Sequence, residues 1–83
     1  MSPKVMRFQP LAFKLRLFFE KGEVRCFDVT PYLDQGIFTE LKQTHYFQQV
    51  TPFFGGVQWP HEQDFSADTL YLQSIVDQEW SAA

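Results

Sequence analysis

The clearest pattern along the chain lies at Phe13-Lys14-Leu15-Arg16-Leu17-Phe18-Phe19, where apolar residues at 13, 15, 17 and 19 alternate with Lys14 and Arg16. A period of two sends one set of side chains toward a core and the other toward solvent, which predicts a half-buried strand. Residues 23–29, Glu-Val-Arg-Cys-Phe-Asp-Val, are rich in β-formers and predict the returning strand. A three-residue loop, Glu20-Lys21-Gly22, needs positive φ only at Gly22, whereas a two-residue loop would force it on Lys21. The three-residue register pairs Phe13 with Val29, Leu15 with Phe27 and Leu17 with Arg25 on the inner face, and Lys14 with Asp28 on the outer. Arg25 is the misfit on that inner face, and its head is expected to reach solvent beyond the hairpin end with its stem packed on Leu17 and Phe19.

Residues 4–8 form a short predicted strand beside the hairpin, ended by Pro10, which has no N–H to give a ladder. Thr30 followed by Pro31 predicts one helical turn stopped at Gly36. Ile37, Phe38 and Leu41 share the spacing of one buried helical face over residues 37–42. His45-Tyr46-Phe47 reads as a further turn of helix. A second hairpin follows, residues 50–54 and 57–59 around Gly55-Gly56, with Pro52 confining its strand to an edge or a bulge. Ser66 is placed to cap a final helix running from Ala67 through Leu70 and Tyr71 to Ile75. The fold class is therefore α+β, an antiparallel sheet of about five strands in hairpins packed with short helices. Its core is expected to hold Phe13, Leu15, Leu17, Phe27, Val29, Leu33, Phe38, Leu41, Trp59 and Leu70.

Length makes this one domain, residues 1–83, with residues 81–83 as a frayed tail. Ten Phe supply apolar area that chain length does not. A formal charge of −3 disfavours sequence-independent phosphate binding. The lone Cys26 closes no intrachain disulfide, and neither a signal peptide nor a transmembrane run is visible. A soluble cytoplasmic protein is the expectation.

A family resemblance rests on Phe-Glu-Lys-Gly-Glu-Val-Arg-Cys-Phe-Asp-Val-Thr-Pro-Tyr-Leu at residues 19–33, Gly36-Ile37-Phe38, Phe47, Val50, Trp59-Pro60, Asp64 and Asp68-Thr69-Leu70-Tyr71. In this order the blocks resemble the bacterial domain of unknown function family 2442 over nearly the whole chain. The family's usual Asn-Gly after Trp-Pro is His61-Glu62 here, so the loop before Asp64 is expected to differ in shape. No reaction is implied by the resemblance. It implies short cytoplasmic proteins, often encoded beside another small protein in a toxin and antitoxin-like arrangement.

Candidate chemistry is sparse. Cys26, in mid-strand, reads as a small packed hydrophobe rather than a nucleophile. His45 and His61 have no metal-ligand spacing, and His61-Glu62 with Asp64 reads as a solvated loop. Glu20, Glu23, Asp28 and Asp34 are scattered, whereas acid-base work needs carboxylates gathered in one cleft. Asp28 is expected to pair with Lys14, and Asp64 and Asp68 to favour the last helix start. Lys14 and Arg16 are the candidates for nucleic-acid contact, with Lys4 and Arg7 in the same stripe. Phe18 and Trp80 are the candidates for partner contact. The reading is a non-catalytic protein-interaction or regulatory module, binding another protein or itself, with no cofactor, metal or membrane; a nucleic-acid-contacting accessory domain is the alternative.

Overall fold

The alternation around Leu15 and Leu17 produces the strand it predicts. In the computed structural model, which describes residues 2–79, β1 (Val5–Leu11), β2 (Lys14–Phe19) and β3 (Val24–Asp28) run antiparallel in sequence order. The β2–β3 register is the predicted one: Lys14 opposite Asp28, Leu15 opposite Phe27, Leu17 opposite Arg25. The Val29 N–H donates to Phe13 O at 3.0 Å and extends it. The connecting loop has three residues, but positive φ falls on Lys21 (73°) as well as Gly22 (87°). The expectation that Gly22 alone would bear it is corrected.

Strand β1 does not end before Pro10. It continues to Leu11, with Pro10 opposite Leu15, and turns into β2 through Ala12 and Phe13. An edge strand tolerates proline because its outward side owes no donor to a neighbour. Phe13 is thereby a turn residue at the core margin, with its ring edge-on to Phe47 at 5.7 Å.

Thr30–Tyr32 and Gly36–Lys42 form 3-10 turns rather than α-helix, followed by α1 (Thr44–Phe47). Asp28 serves this junction: its Oδ1 accepts the Thr30 N–H at 2.9 Å, so the pairing expected with Lys14 gives way to a local cap. Leu41 is fully buried and Phe38 half-buried, but Ile37 is 64% exposed and leaves the predicted apolar face. A turn of three residues per repeat does not bring all three side chains inward.

A second antiparallel sheet holds β4 (Thr51–Phe53), β5 (Gly56–Gln58) and β6 (Asp64–Phe65), so the seven strands among the described residues divide between two sheets. Pro52 sits on the edge strand β4, as expected. The β4–β5 turn is Phe54-Gly55, one residue earlier than Gly55-Gly56. Gly56 belongs to β5, where a Cβ would collide with the carbonyl oxygen of Phe65. Ser66 caps α2 (Ala67–Leu72) through the Thr69 N–H. That helix stops before Ile75, which instead starts β7 (Ile75–Val76), a two-residue strand completing the first sheet against β3.

The inner face of β2 and β3 contributes Leu15, Leu17, Phe19 and Phe27, and Leu41, Phe47, Val57, Trp59, Phe65 and Leu70 close over it. Phe27 and Phe65 meet edge to face at 4.9 Å, and Trp59 packs on both Phe65 and Phe47. The two sheets also share a backbone bond, Val5 N–H to Gly55 O at 2.9 Å, which ties β1 to the tip of the second hairpin.

Candidate interaction surfaces

Strand alternation and register bring Arg7, Gln9, Lys14, Arg16, Phe18 and Cys26 together on the outer face of the four-stranded sheet. The sequence stripe of Lys14, Arg16 and Phe18 is therefore one surface. Its cations are largely engaged within the protein. The Arg16 Nε donates to Asp77 Oδ2 at 2.7 Å, with the two side chains 14% and 6% exposed, and its Nη1 reaches Gln9 at 3.3 Å. Arg7 lies over the Phe18 ring at 4.2 Å, a cation–π contact. Lys14 stays exposed. Trp80, the other partner-contact candidate, lies outside the described residues.

A shallow groove of about 210 Å³ runs along this face between Leu11, Lys14, Cys26 and Ile75. Cys26 is half-buried, and burial first, then the Asp77 charge, pushes its thiol above the ordinary range. The protonated thiol is a poor nucleophile, in keeping with a packing role.

Arg25 departs from its expected path to solvent. Its Nε donates to Ser74 Oγ at 2.7 Å, its Nη2 to Ser74 O at 2.6 Å and its Nη1 to Glu23 Oε2 at 2.8 Å. Its guanidinium also lies under the Tyr71 ring at 4.5 Å. The Tyr71 hydroxyl donates to Glu23 Oε1 at 2.8 Å. The Tyr71 bond, then the Arg25 bond, hold the Glu23 carboxyl below its ordinary value, while the same Glu23 contact raises the Tyr71 phenol. All five guanidinium donors need acceptors, and the turn after α2 supplies two of them.

A buried knot underlies the loop after Trp59. Gln63 is 1% exposed; its Oε1 accepts from the Tyr46 hydroxyl at 2.6 Å, and its Nε2 donates to Ile37 O and Glu40 Oε1, each at 2.9 Å. His61 contacts the Glu40 carboxylate through Nδ1 at 2.7 Å and stacks on Tyr46. The His61 bond, then the Gln63 bond, hold the Glu40 carboxyl below the usual range. His61 thus ties the loop after Trp59 to the 3-10 turn that carries Glu40. Among the described residues no group of three or more His, Cys, Asp or Glu could hold a metal. Asp68, in the first turn of α2, accepts the Ser2 N–H at 3.1 Å.

Sequence reasoning missed the tip of the second hairpin. Phe54 is 92% exposed at φ 47°, followed by Gly55 at φ 82°. The Phe53 ring meets it edge-on at 4.7 Å, and Met6, next to the Val5 that bonds Gly55, is 66% exposed. Positive φ at both loop positions belongs to the primed turns that suit twisted hairpins, where Asn and Gly are favoured at the first position. The pairing of Phe53 with Gly56 leaves a two-residue loop with phenylalanine in an Asn-Gly place, and Gly55-Gly56 in the sequence points to a loop one residue later.

No helix among the described residues is long and apolar enough to cross a membrane. Comparison with curated proteins and with solved structures gave no match. A family model described as a protein of unknown function, DUF2442, matches residues 5–75. That span runs from the first residue of β1 to the first of β7 and takes in both hairpins, the Gln63 knot and the Phe54 tip. The chain belongs to the DUF2442 family.

Proposed function

We propose that this protein is a non-catalytic protein-interaction module that engages its partner through the Phe54 tip. The observation that carries the reading is the Phe54 ring, 92% exposed on a left-handed backbone. For an L-residue that conformation costs about 1–2 kcal/mol. An exposed ring recovers little of it from burial. Aromatic anchors of this kind supply binding energy when a partner desolvates them. A regulatory, antitoxin-like role in a bacterial cytoplasm is the finer form of this reading.

The absence of a catalytic role is supported by how the titratable groups are used: Glu23 serves Arg25 and Tyr71, and Glu40 serves His61 and Gln63. Nucleic-acid contact is favoured less, because Arg16 is engaged with Asp77 and Arg7 with Phe18. The test is affinity capture from host lysate with the parent chain and a Phe54→Asn variant, identifying bound protein and bound nucleic acid. A protein partner retained by the parent and lost by the folded variant is the expected result. Retention unchanged by the substitution would refute the tip as the contact, and nucleic acid lost steeply with added salt would move the reading to Lys14 and its neighbours.

A further inference from the structure

Strand β7 is attached in an unusual way. Among the described residues, Ile75 and Val76 alone pair with β3 on this side, opposite Cys26 and Arg25, and one further bond runs from the Asp77 N–H to Val24 O at 3.1 Å. Its apolar residues do little of the holding, since Ile75 is 67% exposed, Val76 53% and the preceding Leu72 70%. The well-buried groups are polar: Ser74 is 6% exposed and the Asp77 side chain 6%, the first on the inner face with Arg25 and the second on the outer face with Arg16. Arg25 takes the Oγ and O of Ser74 at one end, and Arg16 takes the Asp77 carboxylate at the other. The strand is thus held at its polar ends, while the two apolar residues between them, one on each face, stay exposed.

The charges define what fits there. Arg16 projects from β2 across Cys26, so a strand lying on β3 meets a cation next to its third position, counting Ile75 as the first. Charge-assisted bonds of this length are selective for a carboxylate. Strand addition to a sheet edge gains affinity from main-chain bonds and specificity from such side-chain contacts.

We propose that the outer edge of β3 is a strand-addition site for an extended peptide carrying a carboxylate opposite Arg16, and that residues 74–77 occupy this site in cis as an intramolecular stand-in. The inference is independent of the Phe54 tip. A partner segment competes with the chain's own strand, so binding strengthens when the stand-in is weakened.

The probe is a fluorescent peptide with the sequence of residues 73–79, Gln-Ser-Ile-Val-Asp-Gln-Glu, measured by anisotropy against the parent and an Asp77→Asn variant. Removing the cis carboxylate is expected to tighten peptide binding about tenfold or more, the equivalent of one charge-assisted bond. The same peptide with its Asp replaced by Asn is expected to lose that gain. No binding to the folded variant, or equal binding of the two peptides, would overturn the proposal. Concentration-dependent dimers of the variant without peptide binding would also overturn it, assigning the edge to a second copy instead. Hydrogen exchange on the parent guards against a variant that fails to fold. The Asp77 amide, bonded across β7–β3, is expected to exchange about tenfold or more faster than the Val29 amide of the β2–β3 hairpin, through local opening. Equal protection of the two amides would show that β7 opens only with the whole domain and would end the idea.

Discussion

The segment around Trp59 and the segment around Ile75 are both short, irregular stretches that follow a strand or helix, yet they are fixed by opposite means. Trp59 is 1% exposed, its Nε1 donates to Phe47 O at 2.8 Å, and its backbone N–H takes Gln63 O at 2.8 Å. Around it the interior is aromatic, and the buried Gln63 side chain has its oxygen and nitrogen satisfied. At Ile75 the apolar side chains stay exposed, and two arginines hold the polar ends. Burial makes the first segment part of the fold. The second is held by contacts that another strand could supply.

Substitutions should separate the two segments, beginning with the tryptophan. Trp59→Ala is expected to cost about 3–5 kcal/mol, because it empties the junction between Phe47 and Phe65, and urea unfolding measures it. Gly56→Ala is expected to cost about 1–3 kcal/mol, as the new methyl meets the backbone of Phe65 and Ala67 rather than a side chain that could swing away. Gln63→Ala should cost a similar amount or less, about 1–3 kcal/mol, by leaving the Tyr46 hydroxyl without its acceptor. By contrast Ile75→Ser should fall within about 0.5 kcal/mol of the parent. A large loss at Ile75 would erase the distinction between the segments.

Acid provides a smaller and more diffuse test. Glu23, Glu40 and Asp68 are all held below their ordinary values by hydrogen bonds in the folded state. A depressed carboxylate contributes stability that is present above its unfolded pKa, about 4, and is lost as pH falls through the folded value. The urea midpoint should accordingly fall as the solution is acidified below the ordinary carboxylate range. Glu40→Gln should make that acid limb shallower.

What the sequence disclosed follows from which signals are local. The β2–β3 register is legible because the Leu15 and Leu17 alternation and a three-residue loop select it, even though Lys21 shares the positive φ and Asp28 turns to Thr30 rather than to Lys14. The Ser66 cap is legible as well. Strand β7 was hidden, since Ile75 also fits the helical spacing from Tyr71 and its true neighbour, Cys26, is far away along the chain. From the sequence alone Arg25 is expected to snorkel, because its acceptor, Ser74, belongs to a turn that only the fold brings near. The Gln63 knot draws on residues 37, 40 and 46, and no pairwise spacing announces it. Of the candidate surface, alternation alone puts Lys14, Arg16 and Phe18 on one face, but the Asp77 partner that alters the meaning of Arg16 lies far along the chain and leaves no local signal.

If the Phe54 tip is shaped for a partner, as proposed, its ring should contribute nothing to the stability of the fold. The most direct measurement is the urea unfolding free energy of Phe54→Asn against the parent. Asparagine tolerates the left-handed backbone and loses little burial, so the variant should be as stable as the parent or more stable by up to about 1 kcal/mol. A loss of more than about 1 kcal/mol would place the ring among the residues that hold the fold together and contradict the account.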